Sequence, residues 1–157
     1  MRIFIAACLA FVAASCGAPS SEPSAPAGGG AIVISDAWAA PSPAGVAVAA
    51  GFLTISNTQE RADALIGVSA ARAGRIEIHE MAMDGEIMRM RAVDRLDIAP
   101  GAEAPLAPGG RHLMFYEITA PFVAGESFDV TLQFEQAGEI VVPMQVRPRE
   151  SGHGDGH

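Results

Sequence analysis

A short turn signal in the middle of the chain constrains its fold more than any other feature. Asp84-Gly85 separates two runs of alternating residues, the strongest short-range indication of a β-hairpin with a two-residue loop. With these two loop residues, His79 falls opposite Met90. Because side chains alternate along a strand, one face of the hairpin carries one histidine and four methionines: His79, Met81, Met83, Met88 and Met90.

The side chains on this face are those of a soft metal site. Directly opposed Cβ atoms lie about 4.5–5.5 Å apart, so both members of a cross-strand pair can reach one ion. His112 and Met114 are two residues apart and share a face if their segment is a strand. Imidazole and thioether ligands suit Cu(I) and suit Mg, Ca or Mn poorly. Methionine is also a common filler of protein cores, so the same stripe is compatible with simple packing.

Most of the chain after residue 30 has the pattern of an all-β domain. Residues 128–134 alternate most clearly, with inward positions at Phe128, Val130, Leu132 and Phe134. Other runs predict strands at residues 31–35, 46–56, 63–69, 74–83, 86–93, 113–118 and 139–146. Residues 98–110 contain three prolines and are predicted to be loop-rich. Short strands separated by turn signals indicate a β-sandwich, here over residues 31–149.

The N-terminal segment is predicted to lie outside this domain. Residues 1–16 have the basic and apolar regions of an export signal. Ala13 to Gly17 resembles a lipoprotein box, although Ala13 stands where leucine is usual. We expect Cys16 to be lipidated, the alternative being ordinary signal cleavage nearby. Residues 17–30 consist almost entirely of Gly, Ala, Pro and Ser and are predicted to be a flexible linker.

The C-terminal segment, residues 150–157, is polar and predicted to be disordered. It contains three possible accessory metal ligands, His153, Asp155 and His157. Imidazole and carboxylate oxygen would suit Cu(II) better than Cu(I). The alternative is an ordinary solvated terminus.

Composition excludes several classes of function. The formal net charge is −8, and all ten basic residues are arginines without a basic cluster, which argues against binding to nucleic acid or anionic membrane surfaces. No segment after the leader is long enough for a membrane-spanning helix. The length of 157 residues allows one domain after the leader is removed, and we expect this domain to be monomeric.

The sequence gives little support for catalysis or electron transfer. It contains no Ser-His-Asp motif, phosphate loop or zinc-hydrolase signature, so no catalytic residue is predicted. Three glutamates near the hairpin are interpreted as solvated strand residues: Glu77, Glu80 and Glu86. A blue-copper carrier needs a cysteine in its site, and none occurs between Gly17 and His157. A structural β-sandwich lipoprotein whose methionine face is core remains the alternative.

The order and spacing of four residues resembles the signature of the PCu(A)C periplasmic copper chaperones. His79, Met90, His112 and Met114 are separated by ten, twenty-one and one residues. Flanking motifs are also similar to that family, over about residues 31–147: Asp36-Ala37-Trp38-Ala39, Gly51-Phe52-Leu53-Thr54-Ile55-Ser56-Asn57 and Pro108-Gly109-Gly110-Arg111-His112-Leu113-Met114. One departure is Ala39-Ala40-Pro41, where family members usually carry a polar residue, often arginine.

The resemblance implies a cupredoxin-like, Greek-key β-sandwich that binds Cu(I) through the four spaced residues. It further implies delivery of copper to cytochrome oxidase assembly or to other copper proteins. Met81, Met83 and Met88 are expected not to contact that ion. Neutral ligands leave the ion its positive charge, and no thiolate is present to hold it tightly. Such a site can capture copper yet still exchange it, which a carrier requires.

Overall fold

The computed structural model describes residues 31–149, and this part of the chain contains ten β-strands. No helix within it is long and apolar enough to cross a membrane. The predicted signal, linker and tail, with Cys16, His153, Asp155 and His157, lie outside the described residues. The strands are β1 Ile32–Ala39, β2 Val48–Asn57, β3 Asp63–Ser69, β4 Ala73–Asp84, β5 Ile87–Val93, β6 Leu96–Ile98, β7 Glu103–Leu106, β8 His112–Ile118, β9 Ser127–Phe134 and β10 Gly138–Val146.

The ten strands form one hydrogen-bonded β-sheet, which confirms the all-β prediction. Their order is β5-β4-β8-β2-β1-β10-β9-β3-β6, and β7 pairs with β2. β2 therefore has two partners on one side, with residues 48–51 paired to β8 and residues 53–56 paired to β7. The sheet curves back on itself, so that β3 also lies against β4. This closure surrounds one hydrophobic core.

Two predicted segments need correction, and the short strand β6 was not predicted. The segment 98–110 contains the short strand β7, whose Ala104 and Leu106 are buried while the exposed Pro105 lies between them. Pro105 is tolerated because β7 has hydrogen bonds to one neighbouring strand, β2, and proline is accommodated in such an edge strand. β1 continues past its predicted end at residue 35, through a bulge in which Asp36 takes a φ of +52°. The bulge lets Trp38 rejoin the ladder.

The hairpin of β4 and β5 forms, but its turn differs from the predicted one. The loop residues are Gly85 and Glu86, and Asp84 remains in the strand opposite Ile87. Gly85 takes a φ of +67°. A turn with glycine at its first central position needs a positive φ only there, whereas an Asp-Gly loop needs one at both residues. In the observed turn, Asp84 therefore does not have to adopt a positive φ, which is strained for a residue other than glycine.

The predicted pairing of the hairpin is consequently wrong, although the predicted faces are correct. His79 lies opposite Ala92 instead of Met90, and Met90 lies opposite Met81. A slip of one residue would turn every side chain to the other face. Here each partner is displaced by two residues, so His79 and the four methionines still share one face.

The two faces of β8 separate the core from the outer surface of the sheet. Leu113 and Phe115 are fully buried, and the Phe115 ring lies 5.5 Å and 5.9 Å, centroid to centroid, from the rings of Phe122 and Phe128. Burying an aromatic or aliphatic side chain of this size typically stabilises a fold by about 1.5–3 kcal/mol. The intervening residues of β8 point to the opposite face, which is where His112 lies.

Gly51 of β2 allows β8 to pack closely at this point. It pairs with Leu113, and a Cβ atom at Gly51 would lie 2.5 Å from Cε2 of Phe115 and 3.3 Å from Sδ of Met144. A methyl group at residue 51 thus has no room unless the Phe115 ring moves.

We expect Gly51→Ala to lower the free energy of unfolding by about 1–3 kcal/mol, the usual cost of overpacking a core. Chemical denaturation followed by tryptophan fluorescence measures this change. Gly110→Ala is the matched control, because its added Cβ would meet only the Ala107 carbonyl oxygen at 3.6 Å. Equal stability of the two variants would show that the Phe115 contact does not limit residue 51.

Candidate metal centre

The two histidines of the predicted site meet across neighbouring strands. His79 of β4 pairs directly with His112 of β8. Their ring centroids are 5.8 Å apart, with an angle of 72° between the rings. Each residue is only 7% exposed. Two imidazoles that are 33 positions apart in the sequence therefore lie side by side beneath the surface.

The two methionines of the predicted site lie at different depths. Met114 shares the face of His112, sits opposite Glu77 and is half-buried. Met90 lies opposite Met81, diagonal to His79, and is 48% exposed. Diagonal neighbours are about 7–8 Å apart, within reach of a long side chain. Met114 is likewise a diagonal neighbour of His79, on β8. The four residues therefore differ in depth, with Met90 at the rim.

The hydrogen bonds of His79 leave one ring nitrogen free. Its Nε2 lies 3.0 Å from Oε2 of Glu77 and 3.5 Å from the Tyr116 hydroxyl. A carboxylate only accepts hydrogen bonds, so in the neutral imidazole Nε2 donates and Nδ1 keeps its lone pair. Nδ1 is buried and has no hydrogen-bond partner, alone among the buried side-chain nitrogen and oxygen atoms of residues 31–149. Such an atom is suited to bind a metal.

His112 is oriented by the loop before β8. Its Nδ1 lies 3.1 Å from the carbonyl oxygen of Gly110, which can only accept, so Nδ1 donates and Nε2 is available as a ligand atom. Gly109 takes a φ of +84°, and Gly110 closes the turn by donating to the carbonyl of Ala107 at 3.0 Å. The Pro-Gly-Gly segment thereby fixes the ring of His112.

Glu77 contacts the candidate site in a way that the sequence did not predict. The hydrogen bond donated by His79, assisted by the Arg75 guanidinium, holds the pKa of the Glu77 carboxyl below its usual value. Arg75 bonds the same carboxylate and lies over the Tyr116 ring at 4.3 Å. Glu77 shares the His79 face by strand parity, so the signal was present, but parity alone does not show a hydrogen bond.

The opposite face of β4 holds the site strands together. The Glu80 carboxylate accepts hydrogen bonds from Arg91 of β5 at 2.9 Å and from Arg111, next to His112, at 3.2 Å. These two guanidinium groups lower the pKa of the Glu80 carboxyl. Because Glu80 follows His79 directly, this pair of bonds ties both neighbours of β4 together behind the histidines.

Aromatic residues of the flanking motifs support the site from β1 and β2. The Phe52 ring lies 6.4 Å from the His112 ring and 4.5 Å from the Trp38 ring, measured between centroids. Both aromatic residues are buried. The first two motifs noted in the sequence therefore pack beside His112 of the third, although the three are far apart along the chain.

The methionine stripe is not part of the core. Met83 is 62% exposed, Met88 58% and Met90 48%, which contradicts the alternative that this face is buried packing. Residues 31–149 contain no group of three or more His, Cys, Asp or Glu side chains that could hold a metal. The side chains at this face are two imidazoles and several thioethers, a set that fits Cu(I) better than a hard cation.

The sequence matches a known family over most of its length. Residues 32–146 match the family described as "Putative lipoprotein LpqE-like". "Putative lipoprotein Lxx21020" of Leifsonia xyli subsp. xyli is 29% identical over 117 residues, which cover 74% of this chain and 69% of that protein. "Uncharacterized protein RP573" of Rickettsia prowazekii is 29% identical over 102 residues, 64% of this chain and 56% of its own length.

Solved structures with the same fold include PCuAC domains. The copper-bound PCuAC domain from PmoF2 has a TM-score of 0.70 and 26% identity, covering 80% of this chain and 100% of that one. The Cu(I) form of DR1885 from Deinococcus radiodurans has a TM-score of 0.60 and 23% identity, covering 73% and 76%. These matches confirm the resemblance and the cupredoxin-like fold class predicted from the sequence. The chain therefore belongs to the LpqE-like family and has the fold of a PCuAC domain.

Proposed function

We propose that this protein is an extracytoplasmic carrier of Cu(I), with His79, Met90, His112 and Met114 as the ligands of its cargo. The observation that carries the proposal is the direct pairing of His79 with His112, at 5.8 Å between ring centroids. Each ring is held by an oxygen at one nitrogen. The other nitrogen, Nδ1 of His79 and Nε2 of His112, is left to bind the ion.

The depths of the ligands suggest how the ion is held and released. Two buried imidazoles and the half-buried Met114 form the inner part of the proposed site, and the exposed Met90 lies at its rim on the hairpin. All four ligands are neutral, so the complex keeps the charge of Cu(I). An acceptor can displace the outermost thioether first, because Met90 is the ligand most accessible to another protein.

The family and the related structures support a wider role for the protein. Copper-accepting proteins, such as cytochrome oxidase or its assembly factors, are the proposed recipients. The relationship to a lipoprotein family supports a periplasmic protein anchored through lipid on Cys16. His153, Asp155 and His157 of the C-terminal tail are proposed as a weaker Cu(II) site. The proposed role is carriage of the ion without catalysis.

Removing one thioether should weaken the site without unfolding the domain. We expect Met90→Leu and Met114→Leu each to lower the affinity for the first Cu(I) by about tenfold or more, since even changes around the ligands typically cost 10–100-fold. The unfolding free energy should fall by less than about 1.5 kcal/mol, because leucine and methionine have similar volumes. Competition against a Cu(I) chelator under reducing conditions measures the affinity.

The matched control for these variants is Met144→Leu. Met144 is fully buried in β10 and belongs to the core, so its replacement should leave copper affinity unchanged. Wild-type affinity in both Met90→Leu and Met114→Leu would contradict the proposed ligand set.

Glu77 is proposed to position His79, and its removal should affect binding without removing a ligand. We expect Glu77→Ala to lower Cu(I) affinity by about 10–100-fold, because the His79 ring loses the acceptor that fixes its tautomer and orientation. Glu77→Gln should recover part of this loss, since the amide oxygen can still accept the hydrogen bond.

Glu139→Ala provides the control for Glu77→Ala, because Glu139 is an exposed residue of β10. Calorimetric titration in the presence of a competing chelator compares the variants. A Glu77→Ala protein that binds Cu(I) as tightly as Glu139→Ala would show that the carboxylate has no part in positioning the histidine.

A further inference from the structure

The tip of the β4–β5 hairpin exposes several large apolar side chains next to one another on one face. Met83 and Met88 are 62% and 58% exposed, and the half-buried Met81 and the exposed Met90 lie on the same face. Contiguous exposed apolar side chains commonly mark a binding site. None of these residues except Met90 has a part in the copper site proposed above.

The register of the hairpin arranges these methionines as two directly opposed pairs. Met83 lies opposite Met88, and Met81 lies opposite Met90. Opposed Cβ atoms are about 4.5–5.5 Å apart, so the flexible thioethers of both pairs can turn toward one point. The next pair on this face is His79 with Ala92, so the methionines extend from the histidines to the turn.

We propose that Met81, Met83 and Met88 form a second Cu(I) site at the hairpin tip, with Met90 shared between it and the histidine site. The inference rests on the proposed function in that Cu(I) is the ion supplied to both sites. Transfer would be a ligand exchange in which each new Cu–S or Cu–N bond replaces a Cu–S bond. The ion remains Cu(I), and no electron or proton moves.

The chemistry of the tip selects a soft ion. The ion pair nearest the turn lies on the opposite face, where the Asp84 carboxylate bonds Arg89 at 2.9 Å. The side chains of the two methionine pairs offer thioether sulfur, which suits Cu(I) and gives poor ligands for Zn, Mg or Ca. Without a buried imidazole, and with flexible exposed ligands to order on binding, the tip site should be weaker than the histidine site.

Titration of the full mature chain with Cu(I) under reducing conditions tests the proposal, with NMR of methionine methyl groups as the readout. The first equivalent should shift the methyl signals of Met90 and Met114. A second, weaker equivalent should shift those of Met81, Met83 and Met88. The double variant Met83→Leu with Met88→Leu should lose this second event and keep the first, so that binding falls from about two ions to about one.

Leucine keeps the apolar surface but removes the sulfur, so this variant separates metal binding from apolar docking of a partner. Ile87→Leu is the control, because Ile87 is exposed at the same tip on the other face and should bind both ions. Methyl signals of Met83 and Met88 that do not move in the wild type, or a second event that survives in the double variant, would overturn the inference. Loss of the second event alone would leave the carrier function intact, whereas absence of any Cu(I) binding would refute both.

Discussion

The antiparallel pairing of β4 with β8 is the interaction on which the rest of the site depends. This pairing places His79 beside His112 and Glu77 beside Met114. All the other supporting contacts refine an arrangement that the backbone hydrogen bonds already impose. Because strand side chains alternate, the same register turns Leu113 and Phe115 into the core. The packing of the core therefore stabilises the geometry of the site.

Burial of the two histidines has an energetic consequence for the metal-free protein. An unpartnered buried polar atom such as Nδ1 of His79 costs about 1–3 kcal/mol. A bound ion that satisfies this nitrogen would remove that cost and stabilise the folded state further through mass action. Because one ring nitrogen of each histidine donates to the Glu77 carboxylate or the Gly110 carbonyl, the other ring nitrogen keeps its lone pair for a metal. The rings are therefore already oriented for binding.

Sequence reasoning reached the fold class and the face shared by His79 and the methionines, because strand alternation is a local property. The meeting of His79 with His112 was implied only by the resemblance to a known family, because it depends on the pairing of β4 with β8. Sequence reasoning failed on the hairpin register. An Asp-Gly turn and a Gly-Glu turn differ by two residues in the pairing of the strands, and both leave the same side chains on each face, so the hydrophobic pattern does not distinguish them. It also missed β7 among prolines and the bond between Glu77 and His79. These features depend on neighbouring strands such as β2, or on side-chain rotamers, and neither can be read from a periodic pattern.

X-ray absorption of the protein loaded with one equivalent of Cu(I) tests the central claim most directly, because it counts the atoms around the ion. A site built from His79, His112, Met90 and Met114 predicts about two nitrogen and about two sulfur neighbours, since thioether and imidazole scatter differently. Replacing Met90 by leucine should remove one sulfur. A spectrum with only nitrogen and oxygen neighbours, or one unchanged by loss of either methionine, would contradict the account.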